Sequence, residues 1–169
     1  MTGAIGVLGL GNLVHRDDGV GVHAIQQLQR DERVPPGVML LDGGTQGLSL
    51  IPHLSGLDRL IVIDAVDTGA APGVVMRFAN GALEGLPGKP SVHQLGFADL
   101  MVAMKLLGES PAEVVVFGVQ PASVEWGAEL TESAAKALDG LLDAVIGQLQ
   151  SWAGEPATTQ CPTEVGYEF

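Results

Sequence analysis

The chain is poor in cysteine, aromatic residues and positive charge. A single cysteine, Cys161, excludes a disulfide framework and any cluster of thiolate ligands. Aromatic residues make up 4% of the chain and hydrophobic ones 46%, so the core has to be built from Val, Leu, Ile and Ala. Only 8 Lys and Arg stand against 20 Asp and Glu, a formal charge of -12. That balance lacks the basic stripe a nucleic-acid-binding protein needs, and the basic cluster that an anionic membrane surface would attract. No apolar run approaches the roughly 18 residues of a membrane span. Met1-Thr2-Gly3-Ala4-Ile5 has no basic region ahead of its short apolar run and reads as a first strand, not a signal peptide. A length of 169 residues suits one domain with a substantial core. These absences together predict an acidic, cytoplasmic, single-domain protein.

What is present is a regular alternation of strands and helices. Ala4–Leu8, Val38–Leu41 and Leu60–Ile63 are aliphatic throughout, the pattern of strands buried on both faces. Gly73–Phe78 contains Arg77 and reads as peripheral, whereas Glu113–Val119 is again continuously apolar after its first residue. Between them, Asp17 can cap a helix running to about Arg30. Thr45 can cap a shorter one that carries Leu48, Ile51 and Leu54. Gln94–Leu107 has Leu95, Ala98, Met101, Val102 and Leu106 at helical spacing, and Gly108 stops it. Thr131 begins the longest helix, with Leu138, Leu141, Leu142, Val145 and Leu149 inward. The fold class is α/β, a three-layer α/β/α sandwich with a mostly parallel sheet of about five strands. Residues 1–152 are expected to form this one domain, and the polar segment 153–169 a flexible tail.

Gly6-Val7-Leu8-Gly9-Leu10-Gly11-Asn12 runs from a strand into glycines before a helix, as a dinucleotide fingerprint does. Read from Gly9, however, the third glycine position falls on Val14, where helix and strand should pack closely. Asp17 and Asp18 also open the following helix, where a pyrophosphate needs bare N–H groups. Asp42 stands where a ribose-binding acid would, yet the cofactor reading is weak.

A second set carries more chemistry. Asp18 follows strand one, Asp42 ends strand two, Asp64 ends strand three, and His93 precedes the helix beginning near Gln94. Ligands of open α/β sheets bind outside the carboxyl ends of the strands, so these positions can share one cleft. The Ala79–Val92 loop, with Pro87 and Pro90, is long enough to carry His93 to that rim from either end of strand four. Two carboxylates and an imidazole suit a divalent ion such as zinc or nickel and leave positions open for water or substrate. Each residue also has a plain structural reading. Asp17 reads as an N-cap, Asp18 as a helix-start acid, Asp42-Gly43-Gly44-Thr45 as a tight turn and His93 as a structural histidine. Asp64, at the end of a buried strand, is the hardest to dismiss. His15, His23 and His53 read as surface or helix-side residues, and Cys161 has no activating base nearby in sequence.

Seven short motifs then stand in order: Leu8-Gly9-Leu10-Gly11-Asn12, Asp17-Asp18-Gly19-Val20-Gly21, Asp42-Gly43-Gly44-Thr45, Ile63-Asp64-Ala65, Pro72-Gly73, Ser91-Val92-His93-Gln94-Leu95-Gly96 and Gly118-Val119-Gln120-Pro121-Ala122-Ser123. In this order and spacing the chain, from about residue 4 to 150, resembles the hydrogenase maturation endopeptidases that process nickel–iron hydrogenase large subunits. The resemblance implies a hydrolase, of aspartyl or metal-dependent type, that removes a C-terminal extension from the large-subunit precursor after nickel insertion. It implies Asp18, Asp64 and His93 as the metal-contacting and catalytic residues, three of the four positions that the residue chemistry places in one cleft. It implies that nickel comes with the substrate and need not reside in the enzyme, and that the enzyme is a monomer whose partner is the precursor. Asp42, Gly43, Gly44 and Thr45 would line the same cleft and approach the substrate tail through backbone. Two other readings compete, a non-catalytic nickel-binding assembly chaperone using the same ligands and, less favoured, a dinucleotide-binding oxidoreductase.

Overall fold

The computed structural model describes residues 3–79 and 92–155, with the side chains of the second stretch from 97 onward. The loop before His93 and the segment from 156 to the end lie outside the described residues. The apolar runs form strands β1 (Ile5–Leu10), β2 (Met39–Gly44), β3 (Arg59–Ala65), β4 (Val75–Ala79) and β5 (Glu113–Val119). They build one sheet in the order β2-β1-β3-β5-β4. β1 pairs in parallel with β2 and β3, β3 with β5, and only β4 runs antiparallel, against β5. β1 and β3 are buried at every position, including the charged Arg59 and Asp64 that flank the aliphatic run of β3.

Strand alternation divides the core into two layers. Val7, Ile61, Ile63, Val115 and Phe117 face α1 (Val20–Leu28) and α4 (Glu132–Ala153). Leu8, Leu60, Val62 and Val116 face α3 (Val92–Leu106), together with the short α2 (Ile51–Leu54) and the 3-10 turn Gly47–Leu50 before it. The result is the expected three-layer sandwich. α4 lays Leu138, Leu141, Leu142, Val145 and Leu149 into the core, with Trp152 closing its last turn. Each such buried side chain contributes about 1.5–3 kcal/mol. At the amino ends of the strands the buried Arg59 guanidinium donates to the Trp152 carbonyl (3.0 Å) and lies 5.7 Å from the centre of the Trp152 ring.

Four local expectations change. β2 extends through Gly44 and is only half-buried, because it is an edge strand with one neighbour. The helix expected from Asp17 is broken into a 3-10 turn, Arg16–Gly19, and α1 from Val20, with no side-chain cap on either. Thr45 does not cap the next helical segment, whose cap position is Gln46, and Leu48 is exposed while Leu50 and Leu54 are buried. Among the described side chains of α3 the buried ones are Leu100 and Met104, with Phe97 and Met101 packed beside them, whereas Val102 and Leu106 are exposed. That helix is apolar on nearly all sides, so its periodicity does not define a face.

The strand order fixes the place of a site. The chain leaves β1 for β2 on one side and then crosses β1 to reach β3 on the other. The switch point therefore lies between the carboxyl ends of β1 and β3, where doubly wound sheets open a crevice.

Candidate active site

Asp64 is the penultimate residue of β3, on the face it shares with Leu60 and Val62. It is 3% exposed, and its Oδ1 accepts a hydrogen bond from the Ala65 amide at 2.8 Å. A carboxylate carried this deep by an otherwise aliphatic strand is costly without polar or charged company.

Asp18 reaches the same crevice from β1. The chain leaves that strand through Gly11 at φ +129, a backbone conformation that side chains rarely permit. The Asn12 amide then donates to Asp18 Oδ2 at 3.0 Å. The 3-10 turn holding Asp18 packs against β3, and Asp18 is 8% exposed. Gly21 permits this close approach: a Cβ there would collide with the Ile63 carbonyl and stand 2.5 Å from that of Leu10. The close helix–strand packing that a dinucleotide fingerprint assigns to its third glycine is thus made by Gly21.

His93 falls in the first turn of α3, not before the helix, and its side chain lies outside the described residues. α3 covers the face of the sheet that carries Asp64. Among the described residues, no three His, Cys, Asp or Glu side chains are grouped so as to hold a metal ion.

The Asp42–Thr45 segment sits at the end of β2, beside β1. Gly43 is buried where a Cβ would press on Leu8, Leu10 and Leu50. The Gly44 carbonyl accepts from the Gly11 amide at 2.9 Å. Asp42 is exposed, and its Oδ1 accepts from the Gly44 amide at 3.0 Å. By alternation it shares the α1-facing side of β2 with Leu40, the opposite side of the sheet from Asp64. The structure does not bring its carboxylate together with that of Asp64; only the glycine backbone borders the end of β1.

Two constellations escape sequence reasoning. Asp17, 1% exposed, is no N-cap of the helix that follows it. Its Oδ2 accepts from the Ala122 amide (2.8 Å), the Ser123 amide (3.3 Å) and the Thr131 hydroxyl (2.6 Å), and its Oδ1 from the Thr131 amide (2.8 Å). It ties the turn carrying Asp18 to the loop between β5 and α4. Nearby in sequence to β3 and β5, the buried Gln120 donates to Asp67 (2.9 Å) and accepts from the Thr68 amide (2.9 Å). The Gln120 amide and the Gly69 amide hold the Asp67 carboxyl below its ordinary range. The Gly118–Ser123 motif contained the signal, since it places polar residues directly after a buried strand.

Fold and crevice together define a doubly wound α/β protein whose switch point presents buried carboxylates in place of a phosphate-binding loop. Comparison with known proteins narrows that class. A family model described as hydrogenase maturation protease matches residues 22–148. The hydrogenase expression/formation protein HupD of Bradyrhizobium diazoefficiens is 40% identical over 149 residues, covering 86% of this chain and 78% of the relative. The hydrogenase 2 maturation protease of Escherichia coli K12 is 35% identical over 146 residues, covering 85% and 89%. The structure of the hydrogenase maturating endopeptidase HybD from E. coli superposes with a TM-score of 0.83 at 34% identity, over 89% of this chain and 94% of that one. The chain belongs to the hydrogenase maturation protease family, whose members are endopeptidases. No helix among the described residues is long and apolar enough to cross a membrane.

Proposed function

We propose that this protein removes the C-terminal extension of a nickel–iron hydrogenase large-subunit precursor once nickel has been inserted. Asp18, Asp64 and His93 contact the nickel that the substrate brings, so cutting becomes conditional on metal loading. The observation that carries this reading is the pair of buried carboxylates, Asp18 and Asp64, delivered from two strands to one switch point. Carboxylate and imidazole donors suit a borderline divalent ion such as nickel. The glycines of Asp42–Thr45, next to β1, offer backbone along which an extended substrate tail can lie. The protein acts as a monomer on a transient protein partner in the cytoplasm, and nickel is part of its substrate.

Nickel-loaded precursor incubated with the purified protein should lose a C-terminal peptide by intact mass. Metal-free precursor should stay whole, as should loaded precursor treated with Asp18→Ala or His93→Ala. A precursor that binds but never changes mass would establish a non-catalytic nickel-binding role instead. Undiminished cutting by both alanine variants would remove these residues from the site.

A further inference from the structure

Arg16 stands immediately before the Asp17–Asp18 pair and is the one non-glycine residue among those described with positive φ, at +48. An L-residue in this region is strained, and a glycine would adopt it freely. The conformation is held from outside. The Arg16 amide donates to the Gly127 carbonyl (2.9 Å), the Gly127 amide to the Val14 carbonyl (2.9 Å), and the Asp17 amide to the Ser123 carbonyl (3.2 Å). Backbone strain retained at the rim of a cleft points to a task for the side chain.

The arginine stem lies against Gly127, where a Cβ would stand 2.9 Å from Nε and 3.0 Å from Cγ. Among the described residues its guanidinium has no carboxylate or other hydrogen-bond partner. Arg30 and Lys105 likewise make no described ion pair, but of these three only Arg16 stands beside the Asp17–Asp18 pair. Beside it Trp126 is 77% exposed and stacks on His15, ring centres 4.7 Å apart, with Val14 and Val124 also exposed. His15 is itself fixed by a 3.1 Å contact between Nδ1 and the Val124 carbonyl. An exposed tryptophan beside an arginine has the residue types of an interface hot spot, and the exposed valines extend its apolar surface.

We propose that Arg16 and the Trp126 platform form a subsite for the C-terminal segment of the precursor, with Arg16 binding a carboxylate of that segment and Trp126 an apolar side chain. The proposal rests on the processing role given above and supplies a determinant of substrate choice. In a chain of strongly negative charge, a cation without a carboxylate partner two residues from Asp18 specifies where an acidic group can settle. Because the turn is bonded to the Gly127 loop, the subsite is fixed relative to the cleft.

The test is steady-state cleavage of nickel-loaded precursor by the wild type and by Arg16→Gly, Arg16→Lys, Gly127→Ala and Trp126→Ala. Arg16→Gly should raise KM about tenfold, the scale of one charge-assisted hydrogen bond, while kcat changes less than about twofold. Its Tm should be unchanged or higher, because the strained φ suits glycine. Added salt should raise KM for the wild type more than for Arg16→Gly. Arg16→Lys should fall between them, keeping the charge without the planar fork. Gly127→Ala, whose Cβ displaces the arginine stem, and Trp126→Ala should each raise KM. Precursors with each C-terminal-segment carboxylate, or the terminal carboxylate itself, converted to an amide identify the partner: one of them should lose sensitivity to Arg16→Gly. An unchanged KM and salt response in Arg16→Gly overturns the proposal while the protease reading stands. So does a joint fall of kcat and Tm, which marks a structural role. A wild-type protein that cuts no loaded precursor overturns the processing reading and the subsite with it.

Discussion

Replacing Asp17 by alanine should unfold the protein more readily than any exposed substitution. Its carboxylate accepts from the Thr131 hydroxyl and amide and from the Ala122 and Ser123 amides, and the last bond, at 3.3 Å, is the longest. A hydrogen bond to a charged group contributes about 1.5–3 kcal/mol, and donors left unsatisfied in a buried place add their own cost. Bonds sharing one acceptor do not add independently, so the expected loss for Asp17→Ala is about 4 kcal/mol. That is a large share of the about 5–15 kcal/mol by which a domain is stable. It corresponds to a fall in Tm of about 8–16 °C for a chain of this size. Urea titration followed by circular dichroism should show a lower midpoint with an unchanged slope. Asp17→Asn, which keeps one acceptor oxygen but turns amide protons toward donors, should lie between alanine and the wild type. An Asp17→Ala midpoint equivalent to less than about 1 kcal/mol of destabilisation would refute the reasoning.

Two further outcomes follow from packing and titration. Gly21→Val should be recovered poorly or melt far below the wild type, losing about 3 kcal/mol or more, because its side chain meets the Ile63 and Leu10 backbone; near-native melting would show that α1 can shift away from the strands. Burial lowers the pKa of His23 on α1 from its ordinary 6.5, and its Nε2 has no hydrogen-bond partner among the described residues. The unfolded chain then takes up the proton more readily, so the stability associated with neutral His23 is complete above pH 6.5 and is lost as pH falls from there towards the folded-state value. His23→Gln should flatten the decline of the urea midpoint between about pH 7.5 and 5.5; parallel profiles for variant and wild type would count against it.

Much of this fold can be read in its hydrophobic runs, and the reasons for the exceptions are physical. β5 spans Glu113–Val119, as its continuous valines indicate, and α4 buries the same leucine and valine stripe that its spacing marks. β2 looked like a central strand because an edge strand under a helix layer carries a similar aliphatic run. Its single neighbour shows only in the sheet order. α3 misled because Val102 and Leu106 are as apolar as Leu100 and Met104, and only packing decides which are covered. In the candidate site, the positions of Asp18 and Asp64 at the carboxyl end of the sheet were legible because Asp18 follows one aliphatic run and Asp64 ends another. Asp17 was not, since its partners lie more than a hundred residues away and a short-range cap explains the same residue equally well. Arg16 escaped notice because nothing in a sequence announces a left-handed arginine.

The bonds of Asp17 also bear on when the protein becomes competent during its own synthesis. Every described donor that fills its carboxylate belongs to Ala122, Ser123 or Thr131. A nascent chain that has produced β1 and the turn after it holds Asp18 by the local Asn12 bond but lacks the tie through Asp17. Contacts of such long sequence separation close late and slowly. The tie that fixes the turn beside the crevice is therefore complete only after the loop that follows β5 and the start of α4 have emerged. Unfinished chains that stop short of Ala122 would carry Asp17 and Asp18 without any described donor to the Asp17 carboxylate.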